Sequence, residues 1–168
     1  MTHAPDPTIP SADTQAAVPE GFRPVRLGGP FIAHNGPLSA RLLDGRVQLG
    51  FRVEARHTNP LGICHGGMLA TFADMLIPCA AMYHPGLEPR FLPTISLQMN
   101  YMGAARLGCW VQGEAQVLRS TRNMLFGQGL ISCDGEPAVR VSGVFKLGQA
   151  MGEPGQPFDP LGVLAAQA

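Results

Sequence analysis

Charge is scarce in this chain. Only 14 % of its 168 residues are Asp, Glu, Lys or Arg, against about 25 % in a typical soluble domain. The 12 basic and 12 acidic side chains cancel. No basic excess therefore exists to neutralise a nucleic-acid backbone, which excludes that class of partner. No polybasic run could hold an anionic membrane either, and Lys146 is the single lysine. An uninterrupted apolar run of about 18 residues, needed to cross a bilayer, is missing. Residues 1–30 lack a basic start followed by an apolar stretch, so no signal peptide is read there. The four cysteines, Cys64, Cys79, Cys109 and Cys133, are too dispersed for CxxC metal spacing or a disulfide framework. They are expected to be reduced thiols in apolar surroundings, in a cytoplasmic protein. His57, His65 and His84 have no ligand-like spacing, so no metal is expected. No GxSxG supports serine hydrolysis. No phosphate loop or dinucleotide fingerprint is present, and no cofactor is expected.

What is present is a core and two proline-rich ends. Hydrophobic residues make up 45 % of the chain, enough for one domain. Residues 1–30 carry Pro5, Pro7, Pro10, Pro19, Pro24 and Pro30 and read as an N-terminal arm, disordered over the first 18 or so. Residues 149–168, with Pro154, Pro157 and Pro160, read as a C-terminal tail. The region from Glu20 to Phe31 has apolar Phe22, Val25, Leu27 and Phe31 with which to pack on the body.

The body, residues 31–148, begins with two alternating runs around Asp44-Gly45, a strong hairpin signal. A loop rich in turn residues follows, from His57 to Gly62. Gly66 to Met82 is apolar nearly all round and rich in Ala, Leu and Met, which predicts a buried helix, kinked or ended at Pro78. Four extended runs then follow: Leu92 to Tyr101, Leu107 to Leu118, Met124 to Cys133 and Val139 to Leu147. Their short connections predict antiparallel neighbours. The expected class is α+β: an antiparallel sheet of about six strands with one long helix on a face.

Between Glu54 and Glu88 the only acid is Asp74, in the middle of that apolar helix. Aspartate is a poor helix former, and burying a carboxylate without partners is costly. Either a core hydrogen bond or ion pair satisfies it, or it is a catalytic base or nucleophile. The helix opens on His65-Gly66-Gly67. Helix starts present unpaired amides and a positive dipole end, and glycine lets a substrate oxygen approach closely. Such a start suits an oxyanion hole, or it is an ordinary loop-to-helix junction. Gly66 and Asp74 are eight residues apart, about 12 Å along a helix. One carbonyl cannot meet both within one helix. If both act on one bond, Asp74 comes from a second copy of the chain, and a two-fold dimer creates two such sites. The low charge fits a surface covered by other copies.

Asn59-Pro60-Leu61-Gly62-Ile63-Cys64-His65-Gly66-Gly67, followed by Asp74 in an apolar helix, resembles hotdog-fold thioesterases of the phenylacetic-acid-degradation (PaaI-like) type, within the 4-hydroxybenzoyl-CoA thioesterase superfamily. The resemblance covers roughly Leu38 to Leu147 and includes the run Leu92 to Met102. It implies a sheet wrapped around the helix and hydrolysis of acyl-CoA to free acid and CoA. It implies Asp74 as nucleophile or general base and the Gly66 amide polarising the thioester carbonyl. Asn59 would orient substrate or water across a dimer interface, and His65 would hold the loop. Thr94 would supply a hydroxyl to the attacking water. It also implies a homodimer with shared sites, assembled into a homotetramer. Pro78 departs from the pattern. The alternatives are a hotdog hydratase or dehydratase, and a non-catalytic acyl-CoA-binding module.

Overall fold

A computed structural model describes residues 18–153, 156 and 158–164. The disorder expected at the N-terminal end falls almost wholly outside them. In chain order the elements are β1 (Arg23–Val25), α1 (Gly29–Asn35), β2 (Leu38–Leu43), β3 (Arg46–Arg52), α2 (Gly66–Met82), β4 (Thr94–Tyr101), β5 (Trp110–Ser120), β6 (Met124–Cys133) and β7 (Glu136–Lys146). The strands form one antiparallel sheet in the order β1-β2-β3-β5-β6-β7-β4. The helix therefore crosses one face of the sheet and delivers β4 to the far edge, beside β7.

Local chemistry accounts for the elements. Asp44-Gly45 and Asp134-Gly135 both take left-handed backbone, with φ of 49°, 73°, 48° and 92° in turn. That is the conformation a two-residue hairpin turn requires. The helix has no polar stripe because it lies in the concavity of the sheet: Phe72, Ala73, Leu76, Ile77 and Cys79 are all 1 % exposed or less. Glycines on the sheet permit this close approach. A Cβ at Gly113 would lie 2.9 Å from Leu76, and one at Gly127 would lie 2.5 Å from Ile77. Side chains at those positions would push the helix off the sheet.

Several expectations are adjusted. The sheet has seven strands because the arm contributes β1, paired with β2. Phe22 beside it is buried, edge-on to Trp110 with ring centroids 5.0 Å apart. Leu107 to Cys109 is loop rather than strand, with Gly108 in left-handed backbone at φ 83°. Within the expected tail, Leu161 and Val163 are buried. The Tyr83 hydroxyl, one residue past α2, donates to Asp159 Oδ1 at 2.5 Å and accepts from the Leu161 amide at 3.0 Å.

The cysteine reading is corrected for one pair. Cys109 and Cys133 form a disulfide, their Cα atoms 6.2 Å apart. Their 24-residue separation hid a hairpin register that pairs Val111 with Cys133. Cys64 and Cys79 are free and buried, and burial pushes their thiols up to about 11 and about 12.

Candidate active site

The loop before α2 is built by its own side chains. Asn59 Oδ1 accepts from the Leu61 amide at 2.9 Å, and the backbones of Asn59 and Ile63 bond at 2.9 Å. The carboxamide oxygen is thus used in the turn. Its nitrogen makes no hydrogen bond among the described residues and is free for a substrate. The loop is then tied to the body. The Cys64 amide donates to the Ala105 carbonyl and the His65 amide to the His57 carbonyl, both at 2.7 Å.

His57 supports this loop from beneath. It is 4 % exposed, and its Nδ1 accepts from the Glu54 amide at 3.0 Å. Its Nε2 therefore carries the proton and donates to the Asn35 carbonyl at 2.9 Å. Burial, and then the neighbouring Arg56 guanidinium, lower its pKa below the ordinary 6.5. The unfolded chain then binds the proton more readily. Stability is full above about pH 6.5 and falls as pH drops through the window below it. The thermal midpoint is expected to decline between about pH 7 and pH 5, with a shallower slope in His57→Gln. An unchanged slope in the variant would assign the decline to other groups.

At the helix start, His65 Nδ1 accepts from the Gly67 amide at 2.8 Å, so this exposed imidazole is the N-cap of α2. The Met68 and Leu69 amides bond to the His65 carbonyl at 2.9 and 3.2 Å. Of the first amides of the helix, that of Gly66 alone makes no hydrogen bond among the described residues. It is a free donor at the positive end of a 17-residue helix. Tyr101, at the end of β4, props this turn: its hydroxyl donates to the Gly66 carbonyl at 2.9 Å.

Eight residues on, Asp74 is half-buried, and its Oδ1 accepts from the Thr94 hydroxyl at 2.6 Å. Thr94 opens β4 on the exposed side of the sheet edge. Pro78 stays inside the helix, which continues to Met82. It removes the amide that would bond to the Asp74 carbonyl.

The chain therefore carries two separate groups of candidate residues. Asn59, His65 and Gly66 form one, with Tyr101 and His57 behind them. Asp74 and Thr94 form the other, about 12 Å along the helix. Sequence reasoning did not single out Tyr101 or His57. Tyr101 sits at the end of an ordinary strand run, and only the sheet order carries it to the helix start.

A long helix crossing one face of a single antiparallel sheet is the architecture of the hotdog fold. The model of the thioesterase superfamily matches residues 61–138. A Pseudomonas aeruginosa protein, provisionally named an esterase, is 31 % identical over 132 residues, which are 77 % of this chain and 97 % of that one. Human acyl-coenzyme A thioesterase 13 is 34 % identical over 84 residues, 49 % of this chain and 57 % of that one. Among solved structures, zebrafish thioesterase superfamily member 2 superposes with a TM-score of 0.58 at 30 % identity, over 66 % of this chain and 81 % of that one. A mutant of the phenylacetic acid degradation protein PaaI from Thermus thermophilus does so at 0.60 and 22 % identity, over 70 % and 98 %, which shows the shared fold. The chain belongs to the thioesterase superfamily and has the hotdog fold. Among the described residues no helix is long and apolar enough to cross a membrane.

Proposed function

We propose that the protein hydrolyses acyl-CoA thioesters to the free acid and CoA, at sites shared between two copies of the chain. The observation that carries this reading is the pair of half-sites. The Gly66 amide is an unused donor for a carbonyl oxygen. Asp74 has one oxygen held by Thr94 and the other open for chemistry. Neither suffices alone, and one helix cannot bring them together.

A second copy supplies the missing half. β4 is a sheet edge with β7 on one side only among the described residues. It presents Ile95 and Tyr101, each more than half exposed. Such an edge is open to pairing. Antiparallel pairing of β4 with its symmetry mate extends the sheet and sets the two helices side by side in opposite directions. Gly66 of one copy then faces Asp74 of the other. Pairing of two dimers into a tetramer covers further surface of this charge-poor chain. The proposed setting is the cytoplasm, where the Cys109–Cys133 disulfide would meet reducing conditions.

In the reaction, the Gly66 amide and helix dipole stabilise the negative charge that develops on the thioester oxygen. The Asp74 carboxylate either attacks the carbonyl carbon or takes a proton from the water that does so. By the first route an acyl–aspartyl anhydride forms, the CoA thiolate leaves and takes up a proton, and water hydrolyses the anhydride. By the second, water adds directly and the CoA thiol departs. In a single turnover in labelled water, label in the Asp74 carboxylate establishes the anhydride route with water attacking the aspartyl carbon, whereas label in the product acid alone is common to direct attack by water and to attack on the acyl carbon of the anhydride. Asn59, from the Gly66 side, orients the substrate or the water, and His65 holds the turn.

Thiol release from a panel of acyl-CoAs tests the reading, and absence of release from every member would favour a binding module. Thr94→Val removes the 2.6 Å bond to Asp74. Charge-assisted bonds contribute about 1.5–3 kcal/mol, so kcat is expected to fall roughly 10- to 100-fold with KM little changed. Undiminished kcat would remove Thr94 from the mechanism.

A further inference from the structure

A cavity of about 140 Å³ opens beyond Asp74, at the C-terminal end of α2. Its wall is mostly apolar, with Ala81, Met82, Leu87, Leu92, Leu125 and Leu147 beside the polar Ser120, Glu88 and Arg90. We propose that it receives the far end of the substrate's acyl chain and makes the protein selective for medium-length, straight-chain acyl groups. The proposal rests on the thioesterase reading above and names its substrate class.

Three observations converge. The first is position. Ala81 lies seven residues after Asp74, two turns on and on the same helix face. Leu92 lies two residues before Thr94. The two elements that hold the Asp74–Thr94 pair therefore continue directly into the cavity wall. Pro78 lies between Asp74 and Met82 on that face and offers its apolar ring without an N–H.

The second is charge. The ionic groups at the cavity are Arg90 and Glu88, joined at 2.6 Å. The guanidinium also donates to the Gly148 carbonyl at 3.0 Å. This cation is already neutralised and hydrogen-bonded. The cavity therefore suits hydrocarbon, whereas a subsite for CoA phosphates would need a free cation.

The third is length. Seven residues of helix span about 10 Å. With C–C bonds of about 1.5 Å, a zig-zag chain advances roughly 1.3 Å per carbon. About eight carbons thus reach from the site of attack to the cavity. Acetyl and butyryl groups end short of it.

The test is kcat/KM for acetyl-, butyryl-, octanoyl- and dodecanoyl-CoA with the whole protein. Wild type is expected to prefer octanoyl over acetyl by at least about tenfold, because each buried methylene adds favourable transfer energy. Ala81→Leu narrows the cavity and should lower octanoyl turnover about tenfold more than butyryl turnover. Leu87→Ala enlarges the cavity from a half-buried position and should move the preference toward dodecanoyl. It keeps the test decisive if the Leu variant folds poorly. Equal effects on short and long chains in both variants would overturn the proposal. Wild-type release independent of chain length would overturn it too, while leaving the thioesterase reading intact. No release from any thioester would instead remove that reading and this proposal with it.

Discussion

Asp74→Asn is expected to lower kcat by about 10²- to 10⁴-fold, with the fold and KM nearly intact. That is the range removed with a positioned general base, and loss of a nucleophile is at least as severe. The substitution is close to isosteric. The carboxamide oxygen still accepts the Thr94 hydroxyl bond, and the half-buried position holds no ion pair among the described residues. Only the ability to attack carbon or accept a proton is lost. Thiol release under saturating acyl-CoA measures the effect, and the thermal midpoint checks the fold. A variant within a few-fold of wild type would place the chemistry elsewhere. Comparison with Thr94→Val then separates the reacting group from its positioning partner, since the hydroxyl's loss is expected to cost less.

Much of this architecture is legible in local sequence. Asp44-Gly45 and Asp134-Gly135 mark their hairpins because left-handed backbone needs such residues. The run from Gly66 to Met82 marks a buried helix because no polar face interrupts it apart from Asp74. The same contrast made Asp74 a candidate: a residue that breaks its surroundings needs a partner or a task.

What was not legible is long-range. That β4 returns to the far edge, beside β7, depends on the whole sheet, and with it come the Tyr101 prop and the open strand edge. The Cys109–Cys133 bond follows from the β5–β6 register, which a count of spacings does not reveal. His57 reads as one more loop histidine until the Asn35 carbonyl and the Glu54 amide are placed around it. Thr94 entered through family resemblance, because nothing in its own neighbourhood marks it. Its hydroxyl donates to Asp74 Oδ1 at 2.6 Å, a contact that depends on where β4 sits in the sheet.

The proposed sharing of the site between two copies makes its strongest prediction in mixing. Two inactive variants should restore activity to one another. In one, Asp74→Asn removes the carboxylate. In the other, Gly66→Val puts a branched side chain where the carbonyl must approach the amide. A Cβ at Gly66 lies 3.5 Å from the Tyr101 ring, an ordinary contact, and the thermal midpoint of the variant checks that the fold is kept. Each homodimer has two defective sites. In a mixed dimer, one site combines both defects. The other combines Asp74 from the glycine variant with Gly66 from the aspartate variant, and is intact. Random exchange makes about half the dimers mixed, each with one working site of two, so about a quarter of wild-type activity should return. Losing an oxyanion donor alone lowers kcat by about 10²- to 10³-fold, so the parents supply almost no background. Co-expression from two differently tagged genes measures the recovery, and the mixed dimer, once purified by both tags, should show about half of wild-type activity. Activity no greater than the sum of the parents would mean that each chain carries a complete site. The Gly66 amide and Asp74 would then have to act on different bonds, since one α-helix holds them about 12 Å apart.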